Sequence, residues 1–243
     1  NAFEVSATCG GSVVNTSGTQ SGTHTATQHD TIRGTGAGTT ELEFVNGILM
    51  NKNAITNGPG ADRGTYVGTI RTNGSSQVDM IFGGPGSAGG ESTILGIWNM
   101  YNRRTASLVN FDNTDTWNYT TASYRVKNGN VNNRIQFLVG YQGDGFDALN
   151  SIVVVNTSAF IDELAAIGLN RSTAPVAGSA TGYVQNPGAS VRGGAVATFR
   201  GMAPLGFNYV APLEYSTASG TTTWYGDNGG TLQLSSFEMT TTF

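Results

Sequence analysis

The sequence predicts an all-β protein, specifically an antiparallel β-sandwich of jelly-roll-like type with one short helix and an extended N-terminal arm. The first observation is composition: the 243 residues include 35 glycines, and only 12% are charged. Threonine and asparagine are also abundant. Threonine favours strands, whereas glycine and asparagine supply the positive φ angles that tight turns need. The 38% of hydrophobic residues is sufficient for a core.

The second observation is a series of short, alternating apolar stretches after Thr40, each bounded by turn residues. Asn46-Gly47 within the first stretch is a strong signal for a two-residue hairpin. We therefore predict a single β-sandwich domain over residues 41–243. The stretches are ELEFVNGILMN, GTYVGTIRT, SQVDMIFGG, TILGIWNMYNRRTASLV, TWNYTTASYRV, RIQFLVGYQ, SIVVVNT, GAVATFRGM, FNYVAPLEYST, TTTWYGD and TLQLSSFEMTT.

One segment, Ser158 to Asn170, is typical of a helix. Ser158 is a suitable N-cap, and Asp162 and Glu163 suit the first turns. Phe160, Leu164 and Ile167 recur at helical spacing, and Gly168 is a suitable terminator.

Residues 1–40 are predicted to form an extended arm or linker. The stretch from Cys9 to Thr40 consists mainly of small polar residues and has few apolar anchors, so it buries little surface by itself. We expect it to be ordered by contact with a neighbour, and a flexible terminus is the alternative. The preceding AFEVSAT alternates well enough to add a strand to another subunit.

Charge and hydropathy exclude several functions. The net charge of −4 and the isoelectric point near 5.1 leave no basic surplus for nucleic-acid binding. The single cysteine, Cys9, excludes an intrachain disulfide. No apolar run approaches the roughly 20 residues of a membrane-spanning helix, so we expect no membrane insertion.

The sequence predicts neither an enzyme nor a metal or cofactor site. His24 and His29 lack metal-ligand spacing, and the G-x-S-x-G pattern is absent. Two carboxylates can cleave sugars, but nothing in the sequence selects a pair over ordinary turn residues. The conceivable pairs are Asp112 with Asp115, Asp144 with Asp147, and Asp227 with Glu214 or Glu238.

A candidate glycan-binding group is formed by Trp224, Tyr225 and Asp227, which lie just before and in a turn. An aromatic ring at a loop edge beside a carboxylate is suited to stacking on a sugar. Neighbouring strand residues point to opposite faces, however, so one of the two rings is expected in the core.

The segment LGIWNMYNRRTASL, Leu95 to Leu108, carries the candidate interface residues Trp98, Tyr101, Arg103 and Arg104. Alternation places large apolar groups on both faces, which favours a strand covered on both sides. The two arginines would mark the end of that cover. We therefore favour a buried strand with an interfacial arginine over a site for a sugar or an anion.

Four passages in this order resemble structural proteins of tailed bacteriophages: GTYVGTIRTNGSSQVDM, IWNMYNRR, DTWNYTTASYRVKNGNVNNRIQFLVG and GTTTWYGDNGGTLQLSSFEM. The resemblance implies a virion component, such as a fibre, spike or capsid-decorating protein, that is assembled in the host cytoplasm. Its partners would be further copies of itself, as a homotrimer, and other virion proteins. A host-surface glycan would be a further partner. The alternatives are a carbohydrate-binding receptor-recognition module and, third, a polysaccharide depolymerase.

Overall fold

The part of the chain that the structure, a computed structural model, describes consists of strands joined by loops, with a 3-10 helical turn at Lys127–Gly129. This part comprises residues 2–7 and 25–29, for which only the backbone is described, and residues 42–54, 60–71, 73, 75, 77–83, 88–141, 143–230 and 232–243. The strands are β1 Ala2–Ala7, β2 Thr25–His29, β3 Leu42–Val45, β4 Ile48–Asn51, β5 Thr65–Arg71, β6 Met80–Ile81, β7 Thr93–Leu95, β8 Ile97–Asn99, β9 Thr105–Asn110, β10 Thr116–Asn118, β11 Arg125–Val126, β12 Ile135–Val139, β13 Gly145–Asn156, β14 Asp162–Leu169, β15 Gly182–Gln185, β16 Arg192–Met202, β17 Gly206–Ser216, β18 Thr222–Tyr225 and β19 Ser236–Thr242.

These strands form three sheets that together make a half-barrel, so the predicted all-β class is confirmed. Sheet I has the order β2-β1-β5-β4-β3, and β8 also pairs with β5. Sheet II has the order β10-β18-β13-β19-β9, and β16 pairs with β13. Sheet III has the order β15-β14-β17-β12-β7-β6, and β11 pairs with β17. Among the described strands, only β7 and β12 pair in parallel.

The predicted hairpin is present in sheet I. β3 and β4 pair in antiparallel register, with Val45 opposite Ile48. Asn46 and Gly47 have φ angles of 51° and 81°, as a two-residue turn of this hand requires. The local sequence alone therefore specifies this element.

Sheets II and III enclose a shared core. Alternate residues of β13 are buried, and residues of β12, β14 and β17 pack against them from sheet III. The two sheets also meet at both edges: Ala180 and Thr198 exchange backbone hydrogen bonds of 2.9 and 3.1 Å, and the Val109 amide donates to the Phe82 carbonyl at 3.0 Å. The body is thus held by packing inside and by backbone bonds at its edges.

The predicted helix at Ser158 to Asn170 is wrong. The segment contains β14, a central strand of sheet III that pairs with β17 on one side and β15 on the other. Ala165, Ala166 and Ile167 are all buried, because the strand is covered on both faces. A short apolar run that is buried on both faces shows no strand alternation, so its spacing resembles that of a helix. No α-helix occurs among the described residues.

The predicted arm over residues 1–40 contains the strands β1 and β2. β1 pairs with β5 of the same chain and with β2, both in antiparallel register. The remainder of the arm, which includes Cys9 and His24, lies outside the described residues.

Candidate interface and ligand-binding residues

Trp98 is placed by a chain segment that passes from one sheet to another. Leu95 ends β7 in sheet III, and Ile97 begins β8 in sheet I. Gly96 joins them, and a Cβ at that position would lie 2.7 Å from the Asp79 carbonyl oxygen. The segment is therefore not the single continuous strand that the sequence favours. The switch of sheet at Gly96 buries both Leu95 and Trp98.

The Trp98 ring is packed on both faces. It stacks on Tyr66 with centroids 5.8 Å apart and an interplanar angle of 19°. Gly140 lies so close that a Cβ there would be 2.1 Å from the indole Cε3 atom. Only a glycine leaves the indole room at this position.

Asp144 links Trp98 to Arg103. The indole Nε1 donates to Asp144 Oδ2 at 2.6 Å, and Arg103 Nη2 lies 2.8 Å from the same oxygen. The guanidinium of Arg103 also lies over the indole, 4.6 Å from the ring centroid. Arg103 therefore stabilises the buried tryptophan through an ion pair and a cation–π contact. The ion pair is not evident from sequence spacing, because Asp144 is distant along the chain.

The other two candidate interface residues lie at the surface. Tyr101 is 54% exposed, and its backbone amide is held by Asn99 Oδ1 at 2.9 Å. Arg104 is exposed and exchanges two backbone hydrogen bonds of 2.9 Å with Phe243. Of the four candidates, Trp98 is buried, Arg103 is half-buried, and Tyr101 and Arg104 are exposed.

A run of exposed apolar residues adjoins this segment. Met80, Ile81 and Phe82 are 43%, 38% and 41% exposed, and the Phe82 ring lies 6.3 Å from that of Phe243. β6, which contains the first two, ends the strand order of sheet III. We call Met80, Ile81, Phe82 and Phe243 the Phe82 patch. Through Phe243 it is continuous with Arg104.

The candidate glycan-binding residues are separated by strand alternation. Trp224 is fully buried, and its Nε1 donates to the Tyr119 carbonyl at 3.0 Å, so its ring is not available for stacking on a sugar. Tyr225 is half-buried on the opposite face, where the Arg192 guanidinium lies 4.2 Å from its ring centroid. Asp227 is half-buried in the turn that follows. Tyr225 is therefore the aromatic ring of this group that remains at the surface.

The carboxylates considered as catalytic pairs bind different partners. Asp112 is buried and accepts from the backbone amides of Gly89 and Thr114 at 2.7 and 2.8 Å. Asp144 binds the Trp98 indole, whereas Asp147 forms an exposed ion pair with Arg200. In these cases the carboxylates stabilise loops or pair with arginines.

Glu214, one of the carboxylates in the conceivable catalytic pairs, is instead the centre of a buried charged group with Arg125 and Trp117. Arg125 Nε lies 2.7 Å from Glu214 Oε1, and Trp117 Nε1 donates to Oε2 at 2.8 Å. Burial raises the pKa of Glu214 to about 7, while Arg125, Trp117 and Lys127 favour its ionised form. A glutamate within the apolar run YVAPLEYS was the available signal, because such a residue is rarely buried without a partner.

Lys127 closes a fork in sheet II. β13 pairs with β19 as far as Ser151 and with β18 from Val153 onward. The buried Lys127 ammonium donates to the carbonyls of Ser151 and Ser236 at 3.2 and 3.4 Å, at the point where the two partners diverge. Burial lowers the pKa of Lys127 to about 8, against the opposing influence of Glu214 and Asp112. The buried charge of Lys127 is therefore explained by its hydrogen bonds to two strand carbonyls and by the nearby carboxylates.

No three histidine, cysteine, aspartate or glutamate side chains converge on a common metal position in the part of the chain that is described. In the same part, no helix has the length and hydropathy to cross a membrane. Comparison of the sequence with protein-family models and with curated proteins finds no match.

Proposed function

We propose that the chain is a structural component of a tailed-phage virion, a fibre, spike or capsid-decorating protein that acts by oligomeric assembly. The observation that supports this proposal is the Phe82 patch and its continuity with Arg104. Contiguous apolar surface bordered by arginine is typical of protein–protein interfaces. The resemblance of the sequence to phage structural proteins is consistent with it. The finer fold that accompanies this proposal is a jelly-roll-like sandwich, which the shared core of sheets II and III supports.

The Phe82 patch includes an edge strand, a position that monomeric proteins usually protect against association. An edge strand presents unpaired backbone groups, and natural proteins commonly place charged residues or proline there. Here the edge strand β6 consists of Met80 and Ile81, followed by Phe82, and all three are exposed. Covering these side chains with a second copy of the chain would remove apolar surface from water. We propose a homotrimer as the assembled form.

The test is the molar mass in solution, measured by light scattering after size-exclusion chromatography. The double variant Ile81→Lys/Phe82→Lys is expected to be folded and monomeric, because both positions are already exposed. Leu232→Lys is the matched control, since Leu232 is 56% exposed outside the patch. A wild-type protein that is monomeric at all concentrations, or an oligomer unaffected by the double variant, would contradict the proposal.

A carbohydrate-binding receptor-recognition module is the second candidate, and the exposed side of sheet II favours it. Tyr225 of β18 and Arg192 of β16 form a cation–π pair there, and their two strands flank β13. Gly194 of β16 lies opposite Val153 of β13, so β16 carries no large side chain at that position. An aromatic ring beside a guanidinium can stack on a sugar and donate to its hydroxyls. A glycan array should show binding that Tyr225→Ala removes and that Tyr183→Ala, a change at an exposed tyrosine elsewhere, leaves intact. Binding by both variants alike would refute this candidate.

A further inference from the structure

An open groove of about 370 Å³ lies on the outer face of sheet II, the face that points away from the core. Its volume falls within the range of about 300–1,000 Å³ that is usual for ligand sites. Leu149 of β13 is half-buried at its centre, because β13 runs between β16 and β19. The outward-pointing residues that line the groove are Asp147, Leu149, Thr198, Arg200, Glu238 and Thr240.

The polar side chains of the groove supply both donors and acceptors of hydrogen bonds. The carboxylates of Asp147 and Glu238 accept, and the guanidinium of Arg200 donates. The hydroxyl groups of Thr198 and Thr240 do both. A sugar has the same mixture, since each of its hydroxyl groups donates and accepts. The leucine at the centre supplies apolar surface for the C–H groups of a sugar ring.

The outer face of sheet II carries two charges of each sign. The charged residues in its six described strands are Asp147, Arg192, Arg200 and Glu238, and all four are exposed. Asp147 and Arg200 pair with each other, with Oδ1 3.2 Å from Nε. The face therefore has no net charge, and it produces no field that would attract an anionic or a cationic polymer.

The Tyr225 ring lies on this same face, farther along β13. Tyr225 is opposite Val153, whereas Glu238 is opposite Leu149. The two levels are therefore separated by four residues of an extended strand, about 13 Å. Between them, Ser151 of β13 lies opposite a second serine in β19. Small hydroxyl side chains thus connect the groove with the aromatic ring.

We propose that the groove and the Tyr225 ring are two ends of one binding surface for a neutral, linear polysaccharide that lies along β13. The proposal rests on the carbohydrate-binding candidate above and specifies its ligand as an uncharged chain rather than a single terminal sugar. One sugar stacks on Tyr225, and another, farther along the chain, forms hydrogen bonds in the groove. Because one chain links both contacts, affinity rises with chain length until both ends are filled.

The test is titration of the full chain on an array of cello-, malto- and N-acetylated chito-oligosaccharides, from disaccharide to octasaccharide, beside oligogalacturonates as anionic probes. The wild type should bind a neutral series, and the octasaccharide should bind more tightly than the disaccharide. Asp147→Ala and Glu238→Ala should each weaken octasaccharide binding by about 10- to 100-fold, because each removes hydrogen bonds to a charged group. Glu91→Ala, which removes an exposed carboxylate outside sheet II, should leave the affinity unchanged.

A second pair of variants tests whether one chain joins the two ends. Ser151→Leu places an apolar side chain in the path between Tyr225 and the groove, at an outward-facing position of β13. It should weaken octasaccharide binding by about tenfold through steric clash and leave disaccharide binding unchanged. Ser151→Ala is the matched control and should bind both ligands as the wild type does.

Four results would overturn the proposal. Octasaccharide binding that survives both Asp147→Ala and Glu238→Ala would exclude the groove while leaving the Tyr225 candidate intact. Equal affinity for the disaccharide and the octasaccharide would exclude the linear chain, and binding of the oligogalacturonates alone would exclude a neutral ligand. Absence of all binding would refute the carbohydrate-binding candidate as well. The assembly proposal is judged separately, by molar mass, and a lower molar mass of Glu238→Ala would assign the groove to assembly instead of glycan binding.

Discussion

Replacing Trp98 with alanine should destabilise the fold before it alters any binding. The indole is 1% exposed, stacks on Tyr66 and covers Gly140. Truncation of a buried aromatic side chain to alanine costs about 3–5 kcal/mol through lost burial and the cavity that remains. This is a large share of the roughly 5–15 kcal/mol by which domains are stable.

A smaller contribution comes from the Asp144 contact. Without the indole, Asp144 loses a hydrogen bond of 2.6 Å, although Arg103 still pairs with the carboxylate. A missing hydrogen bond to a charged group costs about 1–3 kcal/mol. The Asp144 side chain is partly exposed, so the cost should lie at the lower end of this range. Trp98→Phe retains most of the buried ring but not the N–H group, so it should lose about 1–2 kcal/mol.

The measurement is urea unfolding followed by circular dichroism, with the free energy of unfolding as the readout. Tyr101→Ala is the control, because this neighbouring aromatic residue is 54% exposed and should change stability by less than about 0.5 kcal/mol. If Trp98→Ala unfolded within about 1 kcal/mol of the wild type, or if Trp98→Phe were as damaging as Trp98→Ala, the packing argument would be refuted.

Three further predictions concern stability. Gly140→Ala should cost about 1–3 kcal/mol in urea unfolding because its Cβ would meet the indole, whereas Gly83→Ala, with nothing within 4 Å of the added Cβ, should cost little; equal effects would exclude steric crowding as the cause. Burial raises the pKa of Glu163 to about 7 in the folded protein, against an ordinary 4.5. The unfolded chain therefore releases this proton first, and the free energy of unfolding should fall by about 2–3 kcal/mol as pH rises from 4.5 to about 8. Glu163→Gln should lack this decline, and identical pH profiles would contradict the prediction. Glu214→Gln should lower the free energy of unfolding by about 2–4 kcal/mol, because Arg125 loses its buried partner. The readout is a lower melting temperature, and an unchanged melting temperature would show that the pair contributes no net stability.

Most of the strand regions could be predicted from sequence, because their causes are local. Asn46-Gly47 adopts positive φ angles whatever surrounds it, and this specifies the β3–β4 hairpin. The alternating stretches coincide with strands for the same reason: one buried and one exposed face require a period of two. β15 was missed, since GYVQ is short and its inner residues include a glycine.

The error at β14 has a different cause. The run ELAAIGL contains good helix formers, and its neighbours β15 and β17 are distant in the sequence. Pairing with those strands and cover on both faces override local propensity. Gly168 illustrates this: it was interpreted as a helix terminator, but a Cβ there would lie 2.2 Å from the Arg171 carbonyl oxygen.

The sequence by itself determined the all-β class, the turns and the strong apolar character of the segment around Trp98, since these depend on residue type and on neighbours along the chain. Only the tertiary structure decided which side chains meet. Asp144 joins Trp98 to Arg103, Lys127 closes the fork in sheet II, and Glu214 pairs with Arg125. Each meeting depends on strand pairing across long sequence separations, and no pattern of local spacing encodes such pairing.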